Sequence, residues 1–259
     1  MSILKDMGCQ KKNGVLVYVG LHRGEGFDAV FRNYELCYGF EANPELFAGL
    51  QIRFRKYPNV RLFNVAVAAE DGEIDFNISS NDGTSSSIGH FNNEWENYKN
   101  GKIRMEQTIR ISSINLLNFL RREEVGHINT YISDIQGFDL QVLKSLGSLI
   151  ENKRISTIMC EVSKDKYKNI YQYIPDNSQS GFAELLNKNY EFVAKGWGHL
   201  NDGEFNEVPE DWWEMDCKWK VKSDLQNRML LYRVSKVLQH KTSEERGIIP
   251  RSSESFKKI

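Results

Sequence analysis

"VYVGLHRGEGFDAVF" (Val17–Phe31) is a short apolar run that enters a glycine-bearing turn and continues as a segment with Phe27, Val30 and Phe31 at helical spacing. A strand, turn and helix of this make-up commonly receives a ligand, because glycine lets backbone approach closely and a helix start presents unpaired N–H groups. The glycines are Gly20, Gly24 and Gly26, in the order G-x-x-x-G-x-G. A dinucleotide turn needs G-x-G-x-x-G to meet a pyrophosphate, and a phosphate-cradling loop ends in Gly-Lys-Ser/Thr; Arg23-Gly24-Glu25-Gly26 supplies neither. The turn therefore points away from phosphate ligands.

The next β-rich run, "LCYGFEA" (Leu36–Ala42), ends in Glu41. An acid about 20 residues beyond a glycine turn accepts hydrogen bonds from a ribose diol in doubly wound folds. A nucleoside without pyrophosphate but bearing an amino acid fits both features, and S-adenosylmethionine is such a molecule. The competing account is a plain tight turn and a solvated strand end.

Outward from there, β-rich runs alternate with longer helical segments, which predicts a parallel sheet covered by helices. "NPELFAGLQIRFRKY" starts with Asn43 as cap and Pro44 in the first turn, a strong helix start. "VRLFNVAVAA" (Val60–Ala69) reads as a third strand, with "GEIDFNIS" (Gly72–Ser79) beside it. Residues 81–102 are polar and aperiodic, hence either a functional loop or a mobile insertion. "INLLNFLRREE" (Ile114–Glu124), "FDLQVLKSLGSLIENK" and "GFAELLNKN" read as helices, and "INTYISDI" (Ile128–Ile135) and "ISTIMCEVS" as strands. "YEFVAKGWG" and "NRMLLYRV" are expected to pair as a late antiparallel hairpin around a loop from His199 to Leu225. The domain is expected over 15–234, after a lead-in at 1–14 and before a flexible polar tail at 235–259.

With 259 residues, 34 Lys and Arg against 35 Asp and Glu, and 40% hydrophobic residues, the chain can bury a sizeable core and has no global attraction to polyanions. No nucleic-acid partner is expected. Cys9, Cys37, Cys160 and Cys217 lack zinc or paired spacing and read as reduced thiols. No stretch approaches the roughly 20 apolar residues of a membrane span, so the expectation is a cytoplasmic protein.

The ordered set of segments resembles the FkbM-type methyltransferases. "YVGLHRG" stands at that family's Asp-x-Gly-Ala-Asn-x-Gly turn, and "YGFEANPELFAGL" at its Phe-Glu-Pro-Asn-Pro segment. "NVAVAAEDGEIDF" is similar to its Asn-x-Ala strand, "GTSSSIG" to its serine loop, "YISDIQGFDLQVLKSL" to its Lys-Ile-Asp-Val-Glu-Gly-x-Glu signature, and "QNRMLLYR" to its terminal strand. The resemblance covers Val15–Arg233. It implies an α/β, Rossmann-like class I fold, a seven-stranded mostly parallel sheet with a reversed last strand and helices on both faces. It also implies S-adenosylmethionine as methyl donor, O-methylation, and acceptors among sugars or hydroxylated natural products. Tyr18 stands where the family has an acid, and Ile132 and Gln136 replace the Lys and Glu around Asp134.

On this reading the cofactor is expected on Gly20, His22, Arg23, Gly24, Glu41 and Asp134, with Ala42, Asn64, Ala66 and Ser86 of the family-like segments. Asp134 and Glu161 end neighbouring strands and are candidate catalytic carboxylates that either create a base or hold a divalent cation; Asp134 could instead cap the helix near Phe138. His199 is an alternative base, and His90 with Trp197, Trp212 and Trp213 is assigned to the acceptor, as indoles stack on sugar rings. Solvated histidines and core indoles are the alternatives. The expected function is O-methylation of a sugar hydroxyl in a glycan or glycosylated compound, in a chain fused to an enzyme that builds the glycan. The alternative is a non-catalytic glycan-binding module on the same fold.

Overall fold

A computed structural model describes residues 12–93, 95, 102–167 and 170–223. All elements below lie in the unit that ends at Val221. The opening run forms β1 (Asn13–Val19) and is buried on both faces. Leu16 and Tyr18 enter one core layer with Phe27, Phe31, Leu50 and Phe54, while Val17 and Val19 enter the other with Leu116, Phe119, Leu140 and Phe182. Two-sided burial of a β-rich run is the mark of a parallel strand between helical layers.

From β1 the chain passes through α1 (Glu25–Val30) and one 3₁₀ turn (Phe31–Asn33) into β2 (Tyr34–Phe40), then α2 (Pro44–Phe54) and β3 (Val60–Phe63). As the sequence predicts, Asn43 caps α2 by accepting from the Glu45 N–H at 3.0 Å. The helix α3 (Leu116–Arg122) leads to β8 (Ile128–Ser133), and α4 (Asp139–Ser145) with α5 (Gly147–Glu151) leads to β9 (Ile155–Ser163). The single helix expected after Phe138 is thus two short ones, joined at Leu146. A last helix, α6 (Gln179–Leu186), precedes β11 (Tyr190–Gly196) and β12 (Glu214–Val221).

Among the described residues the main sheet has seven strands in the order β11-β12-β9-β8-β1-β2-β3. The five strands from β9 to β3 are parallel, and β12 runs antiparallel to both its neighbours. The sequence places the reversed strand one segment too late. The hairpin partner of β11 is Glu214–Val221, inside the stretch read as a loop from His199 to Leu225, and "NRMLLYRV" lies outside the described residues.

"VRLFNVAVAA" is two strands rather than one. Asn64 breaks it: its side-chain amide donates to the carbonyls of Glu41 at 2.9 Å and Ala42 at 3.1 Å, and the chain leaves the main sheet there. Ala66–Ala68 (β4) joins a three-stranded sheet with β5 (Gly72–Ser79) and β7 (Met105–Asn115) in the order β4-β7-β5. The strand β7 pairs antiparallel with β5 along its length; the sequence reading passed over it. A two-stranded sheet joins β6 (His90–Phe91) to β10 (Tyr171–Gln172).

Cys37, Cys160 and Cys217 are free and buried, and Cys9 lies outside the described residues. Among the described residues no helix is long and apolar enough to cross a membrane.

Candidate active site

The site lies at the carboxyl ends of the central strands, where ligands bind open α/β sheets. At the end of β1, Gly20 has φ +82°, and a Cβ there would stand 1.9 Å from the Asp134 carbonyl oxygen. No other residue fits, because the Asp134 N–H also donates to the Val19 carbonyl and draws the ends of β1 and β8 together. His22 is left-handed too, with φ 49°. That bend aims its N–H at Glu41 Oε2 at 2.7 Å, while the Asn43 N–H donates to Glu41 Oε1 at 2.8 Å. Glu41 is 6% exposed, and burial pushes its carboxyl above the usual range despite these backbone donors.

Gly20, His22, Glu41 and Asp134 line a cleft with about 720 Å³ of open space, together with the apolar Phe40, Val65, Val67, Phe76 and Ile88. Ala42, Ala66 and Ser86 line it as well. Three expected cofactor residues stand outside the lining. Gly24 (φ +81°) caps α1 and packs against Leu50 and Phe54, Arg23 faces Asp82 in an exposed ion pair at 3.6 Å, and Asn64 is spent on the carbonyls that end β2.

The polar stretch after Asn81 is ordered over its described part. The Asn77 and Ser87 backbones bridge each other, Ser86 Oγ accepts from the Ser79 N–H at 3.1 Å, and the buried Ser87 hydroxyl donates to the Gln136 carbonyl at 2.7 Å. This wall separates the first cleft from a second, with about 940 Å³ of open space, and Thr84 and Gln136 line both. Trp197, Trp212, Trp213 and Glu161 line the second cleft, joined by Trp95, Glu214 and Asp216, which the sequence reading did not single out. Trp95 stacks on Phe91 at 4.1 Å and Trp213 on Tyr167 at 4.5 Å, so both indoles are braced from behind.

Gln136 is the hinge of the arrangement. Its φ is 54°, its side-chain N–H₂ donates to Asp134 at 2.8 Å and Glu161 at 2.5 Å, and its amide oxygen accepts from the Tyr171 hydroxyl at 2.8 Å. Asp134 and Glu161 do converge, but through this amide. Among the described residues no group of three or more His, Cys, Asp or Glu side chains is arranged to hold a metal ion, so the structure offers the suggested divalent cation no ligand set. Asp134 does not cap the following helix, whose cap residue is Phe138 with no side-chain bond.

Burial and the neighbouring carboxylates lift Glu161 well above the usual carboxylate range, and burial and Asp134 push Asp216 up to about 7. Asp139 is fully buried and is pushed up to about 7 by desolvation; its Oδ1 accepts from the Ser133 hydroxyl and from the Ile135 N–H at 3.2 Å. The two histidines proposed for chemistry stand elsewhere. His199 packs edge-on to the Tyr18 ring beside Gly26, where burial lowers its pKa, and His90 lines a separate depression with Arg104 and Met105.

Strand order, reversed β12, the glycine turn and the acid ending β2 together define a class I, Rossmann-like methyltransferase fold. The sequence profile of the methyltransferase FkbM domain matches residues 19–192, and the chain belongs to that family. It is similar to a crystal structure of methyltransferase FkbM from Methylobacillus flagellatus KT at 12% identity and TM-score 0.47, over 82% of this chain and 44% of that one. It is also similar to an rRNA methylase from Streptococcus thermophilus (8% identity, TM-score 0.43, 82% and 89% of the two chains) and to the N-methyltransferase NodS from Bradyrhizobium japonicum WM9 (6%, 0.43, 82% and 86%). The chain thus spans less than half the length of the FkbM structure. Among curated proteins no significant match is found.

Proposed function

We propose that the chain is an S-adenosylmethionine-dependent O-methyltransferase whose acceptor is a sugar hydroxyl. The observation that carries this reading is the meeting of two unlike clefts at Thr84 and Gln136, beside Asp134 and Glu161. The first cleft suits a nucleoside with an amino-acid tail. Glu41 is fixed by two N–H donors with acceptor capacity left for a ribose diol, and the apolar lining suits a base. S-adenosylmethionine, when bound there, supplies an electrophilic methyl group whose carbon–sulfur bond breaks with the electron pair passing to sulfur.

The chain's own residues do the rest. The indoles present flat apolar faces to a sugar ring and place a hydroxyl toward the shared wall. Asp134, which lines the first cleft and is held by Gln136 where the two clefts meet, takes the hydroxyl proton as the oxygen lone pair forms the new bond to carbon.

Isothermal titration with S-adenosylmethionine tests the first half: binding is expected, and Glu41→Ala should abolish it. Absence of binding, or equal binding by a folded Glu41→Ala variant, sinks the reading. Labelled methyl transfer to a panel of glycosides tests the second. A specific departure, Tyr18 in place of the family's first-strand acid, favours a second reading as a glycan-binding module without catalysis; any turnover excludes it.

A further inference from the structure

We propose that the second cleft selects an acceptor bearing a protonated amine on a polyhydroxylated ring, an amino sugar, and that the methyl goes to a hydroxyl near that amine. The inference rests on the methyl-transfer reading and adds the charge of the substrate. Three acidic side chains, Glu161, Glu214 and Asp216, line this cleft, and among the described residues no lysine, arginine or histidine does. Two lysines of the chain are engaged elsewhere: Lys218 donates to the Leu200 carbonyl at 2.8 Å and pairs with Asp202 at 3.0 Å, and Lys164 donates to the Pro209 carbonyl at 2.5 Å.

The acids share this open cleft with four indoles. Trp197 is 60% and Trp212 45% exposed, so large indole faces stand open at its rim, while Trp95 and Trp213 are stacked in place behind. An indole face attracts a cation and also stacks on a sugar ring, and an amino sugar uses both properties. Burial and neighbouring carboxylates, Asp134 first among them, hold Glu161 and Asp216 above the usual carboxylate range, and an entering cation favours their ionised forms. Phosphorylated or carboxylated acceptors find no cationic partner among the described residues of the lining. A protonated amine has no lone pair, so it serves as the recognition group while a neighbouring hydroxyl faces Asp134.

The test uses the full chain saturated with S-adenosylhomocysteine and titrated at pH 7 with methyl α-glucosaminide, its N-acetyl derivative and methyl α-glucoside, read by tryptophan fluorescence. The amine should bind at least tenfold tighter than either neutral sugar, and Asp216→Asn should remove most of that preference without changing the affinity for S-adenosylhomocysteine. Equal or weaker binding of the amine, or none, overturns the inference while leaving the methyl-transfer reading intact. Failure of S-adenosylhomocysteine itself to bind overturns that reading, and this inference with it.

Discussion

Replacing Gln136 by glutamate changes one NH₂ to an oxygen at the point where both clefts meet. In the wild type that NH₂ donates to Asp134 at 2.8 Å and to Glu161 at 2.5 Å. In Gln136→Glu the same position holds an acid facing two acids, in a residue only 8% exposed. Two unit charges about 4 Å apart repel by about 4 kcal/mol at the effective dielectric of a partly wet site. Asp134 is exposed and Glu161 already holds its proton strongly, so about 2–4 kcal/mol is the expected size. That raises the new carboxyl by about 1.5–3 pH units above its unfolded value of about 4.3. The folded state then binds more protons than the unfolded one between those values, so stability relative to wild type falls as pH rises. Below about pH 4 the variant should nearly match wild type. Above that the deficit should grow by about 1.4 kcal/mol per pH unit and level off near pH 6–7. Urea unfolding of both proteins from pH 4 to 8 measures it, and Glu161→Gln in the same chain should recover part of the loss. A deficit constant across that range would refute the electrostatic account of Gln136.

Wild-type stability should itself decline between about pH 4 and 7, because Asp139 and Asp216, both pushed up to about 7, hold protons in the folded state that the unfolded chain releases; Asp216→Asn should flatten that slope in thermal melts. Gly20→Ala should cost about 3 kcal/mol or more and abolish cofactor binding in titration calorimetry, since φ +82° and a carbonyl 1.9 Å from the new Cβ both oppose a side chain. Trp212→Ala should raise the acceptor KM about tenfold, worth about 1.4 kcal/mol, with cofactor affinity within twofold of wild type. Phe27→Ala, which removes a ring stacked on Phe31 and edge-on to Phe54 and Tyr18, should lower unfolding free energy by about 3–5 kcal/mol in denaturant titration.

The parallel strands and the first helices were legible because their apolar residues are buried on both sides of one sheet, and a run such as "VLVYVG" has few other uses. The turn was legible for a related reason: Gly20 answers to a hard steric limit, and such limits leave a residue type behind. The break at Asn64 was not, since the apolar residues on either side of it favour a strand and the bend comes from two hydrogen bonds to carbonyls 22 and 23 residues away. The strand Glu214–Val221 hid for a different reason. "EMDCKWKV" carries charges that would suit a loop, and its alternate burial of Met215, Cys217 and Trp219 is a signal that was there to be read.

In the site, carboxylates at strand ends were predictable from topology, whereas His199 was not placeable by any local rule; a glycine and a tyrosine distant in sequence decide its setting. Gln136 looked like a lost acid in the sequence. In the structure an amide can bridge two acids where a third carboxylate could not. Thr84 as a shared wall also had no sequence signal beyond its place in a polar loop.

The position of β12 has a consequence for how the molecule is made. Among the described residues β11 has no partner in the main sheet except β12, and β12 inserts between it and β9. On the ribosome, the strands around the glycine turn can assemble as they emerge, but β11 has to wait in the tunnel's shadow until Val221 is out. The two strands then dock together as a ready-made hairpin, a long-range and therefore slow closure. Because Trp212, Trp213, Glu214 and Asp216 ride at the front of that hairpin, nascent chains would complete the cleft beside the glycine turn first and the tryptophan-lined cleft last. Changes confined to this hairpin can then reshape the second cleft with the earlier-folding half left alone.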